Sequence, residues 1–452
     1  MAGMFGTDGV RARINTGPMT AEAVVRLALA AGRWFFDQNM QDRVGRPKVV
    51  IGKDTRLSGY MIESALVAGF TSIGLDCRLL GPVPTPAVAH LTSSLRADLG
   101  VMISASHNPH YDNGIKLFGP NGYKLDDASE MAITQLAAGS IALAEASDLG
   151  RARRMLDSVG RYVEFAKSAF PDDLRLDGMK IVVDCANGGA YRTAPDTLGD
   201  LGAEVVPLFN TPDGFNINEG CGAVHPQMMA DAVVAHGADA GIALDGDADR
   251  LIFADETGHI LDGDQILASL AAAMTRDETL SGGGVVGTVM SNRALARYLD
   301  TLGLDLHRAK VGDRYILEMM RQTGVNLGGE QSGHILLTSL STSGDGLMAS
   351  LQMLALLKRS DKPASELFNA FQPDPQKLEN LRGMNPEILK RDAVQADLAK
   401  LTKDLGDAGR VLVRPSGTEA LIRVMVEADD EARLDATMGE IILRLQKETS
   451  EN

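Results

Sequence analysis

A pattern of short β-branched runs, each followed by a longer amphipathic stretch, starts three times along the chain and constrains the fold more than any other feature. Buried strands joined by helical crossovers leave this signature, that of βαβ units and mainly parallel sheets. In the first block, Lys48 to Gly52 and Leu99 to Ser104 read as buried strands, with helices over Tyr60 to Gly74 and Pro86 to Leu95 between them. The second block has strands at Met179 to Cys185, Glu204 to Phe209 and Ala240 to Asp245, with helices from Tyr191 and Pro226. The third has strands at Val285 to Met290, Leu304 to Val311 and Asn326 to Leu337. The last block differs. Phe371 to Asn385 carries prolines and reads as a linker; after it come a helix over Pro386 to Leu405, strands at Arg410 to Arg414 and Ala420 to Glu427, and a final helix from Asp430. The expected fold is α/β: three related mixed-sheet α/β domains over 1–156, 157–257 and 258–371, then a smaller C-terminal α+β domain over 372–452.

Charge narrows the function. With 44 Lys and Arg against 60 Asp and Glu, the net charge of −16 repels phosphate backbones and anionic lipid, so neither a nucleic-acid nor a membrane-surface partner is expected. No apolar run approaches the roughly 20 residues of a bilayer span. The opening MAGMFGTDGVRARINTG has no apolar h-region, and a cytoplasmic location is expected. Cys77, Cys185 and Cys221 are odd in number, far apart and without CxxC spacing, so they read as small buried hydrophobes, not as disulfides or zinc ligands.

Two glycine-bearing strings mislead. Gly282, Gly284 and Gly287 match a GxGxxG fingerprint but lead into a strand, not out of one into a helix. Gly52-Lys53-Asp54-Thr55 resembles the end of a phosphate-binding loop, yet Pro47 stands where its first glycine should be. Both read as structural.

Other strings carry chemistry. Asp245-Gly246-Asp247-Ala248-Asp249-Arg250 is the strongest metal signal. Extended backbone would set its three aspartates on one face, and crowded carboxylates repel one another unless a hard cation such as Mg²⁺ sits among them. The register mimics an EF-hand as far as Glu256, but Arg250 stands where that loop needs glycine and the flanks read as strands. A strand-end Mg²⁺ site is therefore expected over a solvated acidic turn. Ser104-Ala105-Ser106-His107-Asn108-Pro109 leaves a strand at a proline-closed turn that would present a hydroxyl outward. Without a Gly-x-Ser-x-Gly elbow it does not suit acyl transfer, whereas a phosphoryl carrier is chemically sensible, with an ordinary Ser/Asn turn as the alternative. Arg414-Pro415-Ser416-Gly417-Thr418-Glu419, with Arg423 beyond, offers backbone N–H groups and two guanidiniums to an anion, or is a plain β-turn with surface arginines. Glu330, Ser332 and His334 would share one face in extended structure, a set suited to sugar hydroxyls. Lys116 follows the turn at Asp112 to Gly114, and Arg11 closes a glycine-bearing turn; each reads as either a surface cation or an active-site one.

In order, FGTDGVR, SASHNP, NGIK, DGDADR, GEQSGH and RPSGTE resemble the α-D-phosphohexomutase superfamily over nearly the whole chain. Val311 to Tyr315 and Gln331 look most like its bacterial branch acting on glucosamine phosphates. Ala12 and Ala248 stand where the family usually has glycine. The resemblance implies four domains around a cleft, a phosphoserine at Ser106, and one Mg²⁺ ion held by that phosphate with Asp245, Asp247 and Asp249. It also implies sugar contacts at Glu330 and Ser332, and phosphate contacts from Arg414, Ser416, Gly417, Thr418 and Arg423. The implied reaction is an isomerisation of glucosamine 6-phosphate to glucosamine 1-phosphate through a 1,6-bisphosphate, on the route to cell-wall precursors. The expected partner is this small hexosamine phosphate; a homodimer is left open. Arg250, Lys116 and Arg11 are expected to offset repulsion between two phosphate dianions. Lys116, His334 and, more weakly, His107 are the candidates for moving the hydroxyl proton. The rival readings are a mutase for another hexose, a metal-dependent phosphatase and a non-catalytic sugar-phosphate sensor.

Overall fold

The computed structural model describes residues 4–6, 8–38, 45–415 and 421–450. Its first sheet holds β1 (Val10–Arg13), β2 (Lys48–Lys53), β3 (Asp76–Pro82), β4 (Leu99–Ile103), β5 (Asp112–Phe118) and β6 (Ala152–Arg154), in the order β1-β5-β4-β2-β3-β6. β2 runs parallel to β3 and β4, while β5 is antiparallel to both β4 and β1. Parallel central strands are covered on both faces, which is why β2 and β4 read as unbroken apolar runs. Helix Thr85–Ser94 lies so close to β2 that a side chain at Gly52 would sit 2.4 Å from Val88 Cγ2.

The second sheet holds β7 (Lys180–Asp184), β8 (Glu204–Leu208), β9 (Ala240–Leu244), β10 (Leu251–Asp255) and β11 (Ile260–Leu261), in the order β11-β10-β9-β7-β8. The third has β12 (Gly284–Thr288), β13 (Asp305–Ala309), β14 (Leu327–Gly329) and β15 (Ile335–Leu337), in the order β13-β12-β14-β15. Gly284 and Gly287 therefore lie inside a strand, as their context suggested. Asn326 to Leu337, expected as one strand, is instead a hairpin of β14 and β15, because Gly333 takes a left-handed φ of +90° and turns the chain.

The fourth sheet holds β16 (Gln376–Arg382), β17 (Gly409–Pro415) and β18 (Leu421–Ala428), antiparallel with β18 in the centre. β16 corrects the linker reading of Phe371 to Asn385. Its sequence, QKLENLR, shows no apolar alternation because an edge strand leaves most side chains exposed; backbone pairing with β18 holds it in place. Ile422, Val424 and Val426 of β18 pack with Leu434, Met438 and Ile441 of the final helix, Glu431–Ser450.

The chain divides into two compact units, Met1–Met290 with His307–Asn369, and Ser291–Leu306 with Ala370–Asn452. In the second unit, helix Arg293–Thr301 joins the C-terminal sheet: Arg293 N–H donates to Glu427, and Arg293 Nε lies 3.1 Å from Asp374. All three cysteines are buried and free. Among the described residues no helix is long and apolar enough to cross a membrane.

In the first unit, helix Ser158–Lys167 is fastened to helix Gly346–Arg359 by one buried bond. Tyr162 Oη lies 2.9 Å from both carboxylate oxygens of Asp345, which also caps its own helix by accepting Met348 N–H. Burial pushes the Asp345 carboxyl up to about 6. Tyr162→Phe removes a donor from this buried acceptor and should cost about 1–3 kcal/mol. The check is a lower urea midpoint at unchanged slope; an unchanged midpoint would show that the bond contributes nothing.

Candidate active site

Each of the first three sheets contains an antiparallel hairpin, β4–β5, β9–β10 and β14–β15, and each hairpin loop carries one of the motifs. These are residues 104–111, 245–250 and 330–334.

Ser106 is buried at 2% exposure, so its hydroxyl turns inward, not outward as the turn alone suggested. Its Oγ donates to Asp245 Oδ2 at 2.6 Å and lies 3.4 Å from His107 Nδ1. The backbone at Ser106 is left-handed, φ +52°, a conformation that must be imposed on a residue with a Cβ. Two buried side chains impose it by donating to the Ser106 carbonyl: Arg56 Nη2 at 2.8 Å and Asn218 Nδ2 at 2.9 Å. Ser106 N–H donates to Ser104 Oγ, which donates to Asp54, and Asp54 accepts from Arg56 Nε at 2.8 Å. The string at Asp54 is thus the support of the serine loop. The Asp54 string read as structural from the sequence, and Arg56 and Asn218 drew no notice because neither is near Ser106 in the chain.

The acidic loop also departs from expectation. Residues 245–250 form a turn, not extended backbone, with Ala248 left-handed at φ +57°. The three carboxylates meet because the chain reverses between β9 and β10, and their ligand oxygens lie within 4.8 Å of one another, all buried. Burial first, then Asp249 and Asp247, push the Asp245 carboxyl up to about 7. Lys116 Nζ takes one oxygen each of Asp247, at 2.8 Å, and Asp249, at 3.1 Å. The remaining oxygens, Asp247 Oδ1 and Asp249 Oδ1, are buried with no hydrogen-bond partner. Orphaned carboxylate oxygens in an oxygen-only cluster fit a hard divalent cation such as Mg²⁺.

Cations surround this cluster. Burial opposes charge on Lys116, but Asp247, Asp249 and Asp8 hold its ammonium well above the usual range. Asp8, which sequence reading did not single out, lies 3.3 Å from Lys116 and pairs with Arg11 and Lys124. Arg250 Nε stands 4.0 Å from Asp245. Burial, then Arg250 and Arg11, push His107 down to about 4.

In the third loop, Glu330, Ser332 and His334 do not share an extended face, because the loop is a turn. Glu330 accepts Gly312 N–H at 2.9 Å, and Ser332 is exposed, its Oγ 3.3 Å from Glu330. His334 is buried, with Nδ1 3.6 Å from Asp249 and Nε2 3.7 Å from Asp313. Burial works against its charge, but Asp249 and Asp313 outweigh it and raise its pKa.

The second unit, taken by itself, places Arg414 of β17 directly opposite Arg423 of β18. Like charges facing across strands repel unless an anion joins them. Burial and then Arg423 lower the Arg414 guanidinium pKa, and Arg423 Nε is buried without a partner. Ser416, Gly417 and Thr418 lie outside the described residues.

Four family models match the chain in succession. They are Phosphoglucomutase/phosphomannomutase alpha/beta/alpha domain I over residues 2–141, domain II over 160–258, domain III over 262–374, and the C-terminal domain over 376–444. A phosphoglucosamine mutase of Paracoccus denitrificans is 56% identical over 445 residues, covering 98% of this chain and 99% of that protein. One from Caulobacter vibrioides is 57% identical over 430 residues, 95% of each. Among solved structures, a phosphoglucomutase/phosphomannomutase family protein of Burkholderia thailandensis superposes with a TM-score of 0.82 at 25% identity, covering 100% of this chain and 98% of that one. Aspergillus fumigatus N-acetylphosphoglucosamine mutase, solved with GlcNAc-6P and magnesium, gives 0.67 at 18% identity, over 98% and 96%, and supports the fold.

Gly246 is where the serine and aspartate loops touch. A Cβ there would lie 2.6 Å from the Ser106 carbonyl and 2.8 Å from Asn218 Nδ2. Gly246→Ala should push the two loops apart and slow turnover by roughly 100-fold, the scale of an ångström-sized misplacement, measured on the folded fraction of the variant. Wild-type turnover in that variant would show that the contact is not needed.

Proposed function

The chain belongs to the phosphoglucosamine mutases of the phosphohexomutase superfamily, and from that premise we propose that Ser106 is the residue that carries the phosphoryl group. The enzyme interconverts glucosamine 6-phosphate and glucosamine 1-phosphate. A single observation carries the assignment to Ser106: its Oγ sits 2.6 Å from Asp245, beside two buried carboxylate oxygens that accept no hydrogen bond. In the forward direction the bond from phosphorus to Ser106 Oγ breaks as one to the sugar O1 forms, giving the 1,6-bisphosphate. The sugar hydroxyl gives up its proton, and Ser106 Oγ takes one. After the bisphosphate turns over, Ser106 Oγ attacks the phosphorus at C6 and the balance reverses.

Phosphoryl transfer of this kind depends on alignment and charge neutralisation more than on covalent help. A Mg²⁺ ion on Asp245, Asp247 and Asp249 would neutralise the moving phosphoryl charge. Lys116 and Arg250 stand against these carboxylates and Arg11 against Asp8 beside Lys116, and the three offset the second dianion. His107, 3.4 Å from Ser106 Oγ, and Lys116 and His334, both against Asp249, are the groups placed to move the hydroxyl proton. Glu330 and Ser332 contact the sugar. The domains end near residues 156, 257 and 371, and the setting is cytoplasmic. Arg414 and Arg423, with the Ser416-Gly417-Thr418 turn, hold the phosphate that is not reacting. Their facing positions support this, since an anion relieves their repulsion. Such a clamp reads only the anion, so it accepts either end of the sugar.

Ser106→Ala should lose the added mass of one phosphate and nearly all mutase activity, while Ser104→Ala keeps its phosphate. Intact mass reads this directly, and phosphate retained on Ser106→Ala would sink the assignment. Arg423→Ala removes a charge-assisted contact of roughly 1.5–3 kcal/mol, about 10- to 150-fold in kcat/KM. The loss should be equal in both reaction directions, with Ser106 phosphorylation unchanged. Unaltered kcat/KM in both directions would mean that this arginine pair is structural.

A further inference from the structure

Lys124 sits outside every motif, yet it bridges two of the site's carboxylates. β5 carries Lys116; the chain then turns tightly at Gly119 to Tyr123, and Lys124 bridges back onto Phe118. This return sets the two ammonium groups on either side of Asp8. Asp8 Oδ2 faces Lys116 at 3.3 Å and Asp8 Oδ1 accepts from Lys124. Lys124 also donates to Asp313, the first residue of helix Asp313–Thr323, and Asp313 faces His334 Nε2 at 3.7 Å. His334 Nδ1 faces Asp249, and Asp249 returns to Lys116 at 3.1 Å. The result is a closed ring in which basic and acidic side chains alternate: Lys116, Asp8, Lys124, Asp313, His334, Asp249. Lys124 and Asp313 are 15% and 14% exposed, so the pairing is poorly screened.

Other contacts join the same two stretches without touching the ring, among them Arg314 with Asp127 and Arg321 over the Tyr123 ring at 4.2 Å. Arg314 Nη2 reaches Glu130 at 2.9 Å, and Thr342 Oγ1 donates to the Gly122 carbonyl at 2.9 Å. Holding the seam closed therefore does not require Lys124. What Lys124 alone does, among the described residues, is fix the carboxylate beside Lys116 and Arg11 relative to the one facing His334.

We propose that Lys124 is a positioning residue of the mutase reaction, holding His334 in register with Lys116 through Asp313 and Asp8. This rests on His334 being a proton-moving group, and the test separates the two ideas. Lys124→Met should lower kcat by roughly 10- to 100-fold with KM within about twofold, since ångström-scale misplacement acts on the reacting geometry. His334→Gln should lower kcat at least as far, and the double variant should be no slower than His334→Gln alone. Asp313→Asn, which leaves Lys124 paired with Asp8, should reproduce the loss if Lys124→Met folds poorly. Arg314→Gln, which loosens the seam only, should combine additively with His334→Gln. Additive losses for Lys124→Met and His334→Gln would overturn the positioning role while leaving His334 in place. Wild-type kcat in His334→Gln would remove the underlying reading, and the proposal with it. A non-additive Arg314→Gln would mean that any loosening of the seam suffices, which also overturns a specific role for Lys124.

Discussion

Three carboxylates buried in one turn set the terms for everything around them. Two like charges about 4 Å apart repel by about 4 kcal/mol even at an effective dielectric near 20. Asp245, Asp247 and Asp249 are 0–3% exposed, so water screens little of this. Lys116 takes one oxygen each of Asp247 and Asp249 and also faces Asp8 at 3.3 Å. Asp8 adds an anion of its own, which Lys124 and Arg11 balance. Each step of compensation recruits the next group, which is why basic and acidic side chains alternate around a ring instead of forming isolated pairs. Asp247 Oδ1 and Asp249 Oδ1, the latter only facing His334 Nδ1 at 3.6 Å, accept no hydrogen bond, and a divalent cation would complete the balance there.

The repeated fold explains why this chemistry converges. The serine loop, the acidic loop and the His334 loop are the same kind of antiparallel hairpin in three successive sheets. A hairpin following a buried strand holds its loop at the carboxyl end of that strand, where α/β domains gather their ligands. Repeating the unit gives three loops with one orientation relative to their own sheets. Divergent sequences can then fill those loops with hydroxyl, carboxylate and imidazole. In the second unit, β17 and β18 set Arg414 and Arg423 opposite each other on paired strands.

How much of this was legible depended on the range of the interaction. Buried parallel strands such as Lys48–Lys53 announce themselves because both faces must be apolar, while β16 is invisible because its stability comes from backbone pairing with a strand some 45 residues away. The aspartates were recognisable from spacing, but for the wrong geometric reason: a turn, not an extended face, brings them together. The serine, the acidic string and the arginine loop each carry a local signature. Arg56, Asn218 and Lys124 carry none, and Asp8 and Asp313 lie in recognisable strings, FGTDGVR and Val311 to Tyr315, that do not say what those side chains meet. Asn218 meets Ser106 across 112 positions, and Lys124 meets Asp313 across 189. Only the fold defines those partnerships, and the supporting groups of a site are of this kind more often than its reacting groups.

The two places where glycine is usual in the family separate cleanly on structural grounds. Ala12 lies in β1, paired with Asn113, where ordinary extended backbone accepts any residue. Ala248 does not: at φ +57° it occupies a conformation that costs a residue with a Cβ on the order of 1–3 kcal/mol. It persists because its N–H donates to the Asp245 carbonyl, its own carbonyl accepts Gly346 N–H, and its methyl is fully buried. Ser106, Ala186, Asn187 and Asn218 are left-handed as well: Asn218 N–H donates to the Ala186 carbonyl and its side chain to that of Ser106, while Gly189 N–H donates to the Gly246 carbonyl. Strain concentrated in this way is supported from outside, by Arg56, Asn218 and the strands, and it leaves the loops few other shapes to adopt. Phosphoryl transfer gains most from groups that do not have to move when charge develops. In this chain the serine and its three carboxylates are fixed by the backbone before a sugar phosphate arrives, and the alanine at 248 tightens that constraint where a glycine would relax it.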